Sequence, residues 1–125
     1  GLDAWAGRAI DAVAHSGGVT FVAERDGLVI GFVQVVLREP RRDAAKQIQR
    51  DQGVRRAWVN TIAVLESHRH QGVGRELMQA VEHWARSHAA AAIQLDVAPS
   101  NRPALGLYRA QGFEAIATVM EKGLE

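Results

Sequence analysis

The chain has no cysteine among its 125 residues, only three prolines, and aromatic side chains at just 6% of positions. Without thiols there is no disulfide, no thiolate metal centre and no cysteine nucleophile, which fits the reducing cytoplasm. Charge of one sign is lacking too: 15 Lys plus Arg stand against 14 Asp plus Glu. Such balance predicts neither a nucleic-acid binder nor a protein held on an anionic membrane surface. No apolar run reaches bilayer-spanning length, and no signal-peptide pattern opens the chain. The expectation is a cytoplasmic protein of one domain, residues 1–125, with enough apolar residues (47%) for a single core.

Periodicity outlines the elements. Asp3–His15 reads as a helix, with Trp5, Ala9 and Val13 four apart, and Ser16-Gly17-Gly18 ends it. Val19–Glu24 is a strand, Asp26-Gly27 a two-residue hairpin turn, and the apolar run Leu28–Leu37 a central strand buried on both faces. Arg56–Val64 is the next strand. Val73–His88 is a helix with Val73, Leu77, Val81 and Trp84 inside and Arg75, Gln79, Glu82 and Arg86 outside. Ile93–Val97 alternates apolar and polar residues as a half-buried strand, and Pro99 breaks it. Asn101 then caps a helix carrying Leu105 and Tyr108 on one face, Gly112 ends it, and Phe113 starts a final strand. The order describes an α/β sandwich: a mixed central sheet flanked by helices.

The most informative stretch joins a strand to a helix. After Val64 comes a short polar turn, then Arg69-x-x-Gly72-x-Gly74 and the helix. The first N–H groups of a helix lack intrahelical partners and sit at the positive end of its macrodipole, so they attract anions. Gly72 and Gly74 carry no Cβ and let a phosphate approach the backbone; Arg69 and Arg75 add positive charge. A P-loop needs Gly-Lys-Ser/Thr, whereas Gly74 is followed by Arg75-Glu76. A dinucleotide fingerprint needs a small residue where Leu77 stands, although Asp96 lies near the expected spacing of its acidic residue.

The loop, together with Asn101-x-x-Ala104-Leu105-x-Leu107-Tyr108-x-x-x-Gly112-Phe113, resembles the two motifs of the GNAT superfamily of N-acetyltransferases, in the right order and a helix apart. The resemblance implies the acyl-CoA N-acyltransferase fold, with a mostly antiparallel sheet. It also implies direct acetyl transfer from acetyl-CoA to a primary amine of a small molecule, protein or peptide, with no metal. By that resemblance the coenzyme lies on Ile62, Ala63 and Val64, whose region offers backbone N–H groups as far as Leu65. It continues to the phosphate loop at Arg69, His70, Gln71, Gly72, Val73, Gly74 and Arg75, and to Asn101, Leu105 and Tyr108.

Tyr108 aligns with the tyrosine that similar enzymes use as general acid, and a phenol near pKa 10 is protonated at neutral pH. Some members carry a catalytic glutamate in the strand before the loop; here that region holds Trp58, Val59 and Asn60. Asp96, twelve residues before Tyr108, is the better candidate base, as in the similar ribosomal-protein N-terminal acetyltransferases, while Glu66 and a water chain stay open. Members begin with a strand and a further helix absent here, which points to an N-terminal truncation beside the acceptor site. Phe113–Glu125 leaves room for one long strand or two short ones around Thr118.

Residues 38–56 form a basic insert, seven of nineteen positions being Arg or Lys, with a short exposed helix expected at Asp43–Arg50. No aromatic is interleaved to stack on bases, and Glu39, Asp43 and Asp51 dilute the charge, which argues against nucleic acid. His68 and His70 lack a third ligand nearby, so contact with phosphate is the better reading than metal. His15, His83 and His88 read as solvated, and Trp5, Trp58 and Trp84 as packing residues. Two other functions stay open: an acetyl-CoA-binding regulatory module without turnover, and a nucleic-acid-associated protein using the insert. Assembly as a homodimer is likewise left open.

Overall fold

The computed structural model describes residues 8–39 and 54–124. The chain divides into two compact units, Gly1–Leu95 and Asp96–Glu125, each taken by itself below. In the first, strands β1 (Arg8–His15), β2 (Gly18–Arg25), β3 (Leu28–Arg38), β4 (Arg56–Val64) and β5 (Ala92–Gln94) form one sheet in that order. Neighbours run antiparallel except β4 and β5, which are parallel. A single 3-10 turn, Glu66–His68, and helix α1 (Val73–Ser87) link β4 to β5.

The helix expected over Asp3–His15 is not there: Arg8–His15 is β1, and residues 1–7, with Trp5, lie outside the described residues. Alanine favours helix, but propensity is a weak preference that tertiary context overrides, and here the eight-pair ladder to β2, from Arg8↔Arg25 to His15↔Gly18, prevails. Asp26 and Gly27 both adopt positive φ (51° and 78°), the backbone that a two-residue hairpin turn requires.

The core lies on one face of the sheet. Cross-strand partners Val19, Ala23, Val33, Val35, Ala57 and Val59 are buried there, against Val73, Leu77, Met78, Val81 and Ala85 of α1. Each fully buried aliphatic side chain contributes about 1.5–3 kcal/mol, so this stripe rather than helix propensity holds α1. Trp84 is only half-buried and stacks on His88 at 4.4 Å. His88 Nδ1 also lies 2.8 Å from the Trp84 carbonyl oxygen, so this histidine is engaged as well as exposed.

β3 is therefore not buried on both faces as its apolar run suggested. Phe32 points away from α1 and is 36% exposed, because among the described residues of this unit α1 is the helix that packs on the sheet, and it covers the other side. Near its start β3 bulges: Ala23 pairs with Gly31 and Glu24 with Val29, leaving Ile30 as the extra residue. A Cβ on Gly31 would lie 3.0 Å from the Ala63 carbonyl oxygen and 3.3 Å from both Leu77 and Val73, so glycine is what lets the first turns of α1 sit on the sheet. Gly31→Ala should cost about 1–3 kcal/mol of stability by overpacking; a denaturant midpoint unchanged from wild type would show that α1 adjusts freely.

In the second unit, α2 (Arg102–Ala110) begins where expected: Asn101 Oδ1 accepts from the Ala104 N–H at 3.3 Å, with Pro103 in the first turn. Its end is a complete Schellman cap. The Gly112 N–H donates to Arg109 O and the Phe113 N–H to Tyr108 O, both at 3.0 Å, with Gly112 at φ +96°. The strand expected from Phe113 does not form: residues 113–124 enter no helix or ladder, and 114–124 are all exposed. Val119, Met120 and Leu124, each near 90% exposed, have no neighbouring strand to pack them into a sheet.

Candidate active site

Two irregularities in β4 build the site. The ladder with β3 jumps from Gln34↔Thr61 to Val35↔Val59, so Asn60 is an extra, bulged residue. Pairing with β5 spans only Arg56↔Ala92, Ala57↔Ile93 and Trp58↔Gln94. The bulge starts two residues beyond the last pair and turns β4 away, which also explains why β5 stops at Gln94 instead of continuing to Val97. Beyond Trp58, β4 thus offers an edge that no described strand pairs with. The Leu65 N–H donates to Ile30 O at 2.8 Å and is spent on β3, so it is not available to a ligand as expected. Because N–H and C=O of one strand residue point the same way and alternate along the strand, Val64 and Ile62 aim theirs at the open edge, and Ala63 aims its own at β3.

This edge runs directly into the loop. The Arg69 Nε–H donates to Val64 O at 3.1 Å, folding the guanidinium back over the end of β4. His70 (φ 64°) and Gly72 (φ 86°) both take left-handed backbone, and Gly72 is the N-cap residue of α1 without any side-chain cap. No N-cap side chain therefore covers the opening N–H groups of α1. Gly74 leaves room as well: an added Cβ would meet only Val64 Cγ2, at 3.8 Å. Arg69, His70, Gln71 and Arg75 are exposed around it. Gln71 Nε2 reaches Ser67 O at 3.5 Å, and Ser67 Oγ lies 3.0 Å from His68 Nδ1. Val73 is different: its side chain is in the core, so it has only its N–H to offer. The arrangement suits an extended ligand with amide groups along β4 and a phosphate at α1.

In the second unit, burial of Tyr108 pushes its phenol above the usual value, and its ring meets Phe113 edge-on at 5.6 Å. That pair is the apolar contact of the Schellman cap, so the Tyr-x-x-x-Gly-Phe spacing has a local structural reason. Asp96 is exposed and lies beyond β5 rather than on a strand. Asn101 uses its side chain as a cap, and Leu105 is half-buried.

The model of the Acetyltransferase (GNAT) family matches residues 2–113. The chain belongs to this family. Among curated relatives it is 35% identical over 99 residues to an N-alpha-acetyltransferase of Sulfurisphaera tokodaii, which covers 77% of this chain and 56% of that protein. It is 29% identical over 101 residues to the type 1 aminoglycoside N(6')-acetyltransferase of Salmonella typhimurium, covering 81% of this chain and 66% of the relative. The chain thus spans a little over half to two thirds of these relatives. An aminoglycoside N-acetyltransferase solved in complex with CoA shares the fold, with a TM-score of 0.71 at 24% identity over 88% of this chain and 68% of the other.

The family match spans residues 2–113, and within it Ile62, Val64, Arg69, His70, Gln71, Gly72, Gly74 and Arg75 lie on one strand–loop–helix segment of the first unit. Gly31 and Ile30, which seat α1 and anchor Leu65, were not among the residues singled out from sequence. A signal existed: a lone glycine inside an apolar strand marks a bulge or a close backbone approach. Among the described residues no group of three His, Cys, Asp or Glu side chains is placed to hold a metal, and no helix is long and apolar enough to cross a membrane. The helix expected at Asp43–Arg50 lies outside the described residues.

Proposed function

We propose that the protein transfers the acetyl group of acetyl-CoA directly to a primary amine, residues 1–125 being a single N-acetyltransferase domain. The observation that carries this reading is the open β4 edge leading into the uncapped start of α1. The pyrophosphate would sit on the N–H groups of α1 beside Arg69 and Arg75, and the pantetheine amides would pair with Ile62 and Val64. The neutral amine attacks the thioester carbonyl, a tetrahedral oxyanion forms, the C–S bond breaks, and CoA thiolate leaves. The amine's proton goes to a base, for which Asp96 is the candidate. The thiolate takes its proton from Tyr108, whose raised pKa keeps the phenol protonated across the neutral range.

A screen of primary amines and peptides for CoA thiol release from acetyl-CoA tests the reading, and the absence of cysteine removes background in a thiol-reagent assay. CoA binding without thiol release from any acceptor would sink it. Replacing Arg41, Arg42, Arg55 and Arg56 together by Gln should leave CoA affinity, measured by calorimetry, within about three-fold, because Arg55 and Arg56 precede the open edge. Stability should fall modestly, since the Arg55 side chain donates to Glu39 at 2.9 Å and to the His88 carbonyl oxygen at the end of α1 at 2.7 Å. A large loss of CoA affinity in a folded variant would place the insert over the coenzyme.

A further inference from the structure

Beyond the paired ends of β3 and β4, alternation sorts the charged side chains by face. On the α1 side, Leu37 and Ala57 are partners, and one step outward Glu39 and Arg55 form an ion pair at 2.9 Å. On the opposite face, Arg38 stands directly across from Arg56, and Val36 across from Trp58. Like charges directly opposite in an antiparallel pair repel, so this is a costly arrangement for two guanidinium groups. Arg38 leans diagonally away and lays its guanidinium over the half-buried Trp58 ring, 4.0 Å from the centroid. A guanidinium held against an aromatic ring still has its N–H groups to offer a carboxylate or phosphate. Among the described residues no carboxylate is ion-paired with Arg38, because the adjacent Glu39 belongs to Arg55 on the other face. Arg56 donates to Val54 O at 3.4 Å, and Gln94, the cross-strand partner of Trp58, adds an amide beside the Arg38–Trp58 pair.

The location matters as much as the charge. Trp58 is the last β4 residue paired with β5, and the bulge at Asn60 where the edge opens is two residues on, about 7 Å along the strand. We propose that Arg38, held over Trp58, recognises a carboxylate or phosphate on the acceptor, so that the acceptor is an amine bearing an anionic group, such as an acidic peptide, rather than a polycation. This rests on the acetyl-transfer reading and deepens it by naming the substrate class. Where some family members carry a glutamate in this strand, Trp58-Val59-Asn60 carries none, so nothing in that run repels an anion.

The test pairs matched acceptors with the full chain: short peptides with the same free amine carrying either a glutamate or its glutamine isostere, alongside an aminoglycoside. Wild type should favour the glutamate peptide over the glutamine peptide by about ten-fold in kcat/KM. The preference should reside in KM, vanish in Arg38→Met and return in Arg38→Lys. Equal kcat/KM for the two peptides in wild type, a preference that survives Arg38→Met, or selection of the aminoglycoside would overturn the proposal. A second readout needs no turnover. With CoA saturating, so that the α1 site is filled, succinate and inorganic phosphate are titrated in separate arms while the Arg38 Nε–H resonance is followed by NMR. A saturable shift with one of them supports the site and identifies which anion it takes; no shift with either overturns it. If CoA itself fails to bind, it is the acetyl-transfer reading that falls.

Discussion

Gly74→Asp should abolish measurable CoA binding while leaving the protein as stable as wild type or slightly more so. The side chain has room, since an added Cβ meets only Val64 Cγ2 at 3.8 Å. A carboxylate in the first turn of α1 also interacts favourably with the helix dipole, worth about 0.3–1 kcal/mol. On the proposed reading the same carboxylate stands where the pyrophosphate would sit, and like charges at such distance cost several kcal/mol, so calorimetric titration should show affinity reduced by about 100-fold or more. Gly72→Asp is a less clean probe. Gly72 has φ +86°, where any side chain is strained, so affinity and stability should fall together, the latter by about 1–2 kcal/mol. Unchanged CoA affinity in well-folded Gly74→Asp would mean that α1 does not receive the phosphates.

Tyr108→Phe is expected to lower turnover by about 100-fold or more while leaving CoA affinity and thermal stability close to wild type. The ring's contact with Phe113 and the backbone bonds of the helix cap do not involve the hydroxyl, so the substitution removes only the proton donor. The measurement is single-turnover acetyl transfer with saturating acetyl-CoA, which bypasses product release as a limit on the rate. In wild type the rate should rise with pH as the acceptor ammonium loses its proton and then fall as pH rises through the raised phenol pKa; Tyr108→Phe should lack the falling limb. Equal single-turnover rates for the two proteins would make Tyr108 a packing residue of the Schellman cap and nothing more.

The sequence by itself determined the parts whose causes are local. The hairpin turn at Asp26-Gly27, the inner positions Val73, Leu77 and Val81 of α1, the Asn101 cap and the Gly112 stop each follow from a residue acting on its own few neighbours, and each stands where the pattern put it, whereas Trp84 is only half-buried and Ala85 is buried instead. In the loop, Gly72 takes the left-handed backbone that glycine adopts freely, at a helix start without a side-chain cap.

Tertiary structure decided what depends on a partner strand. Residues 8–15 have helical spacing yet form β1, because a strand's hydrogen bonds come from β2 and no pattern within the segment reveals that offer. The apolar run of β3 is the same on paper whether one face or both are covered; it is the position of α1 that buries Val33 and leaves Phe32 exposed. Residues 113–124 have strand-like residues but no ladder to join. The bulges at Ile30 and Asn60, which free the edge of β4 and shift its inward side chains from Ala57 and Val59 to Ile62 and Val64, arise from register between strands. Register is a relation between two segments, set by how their side chains pack together against α1.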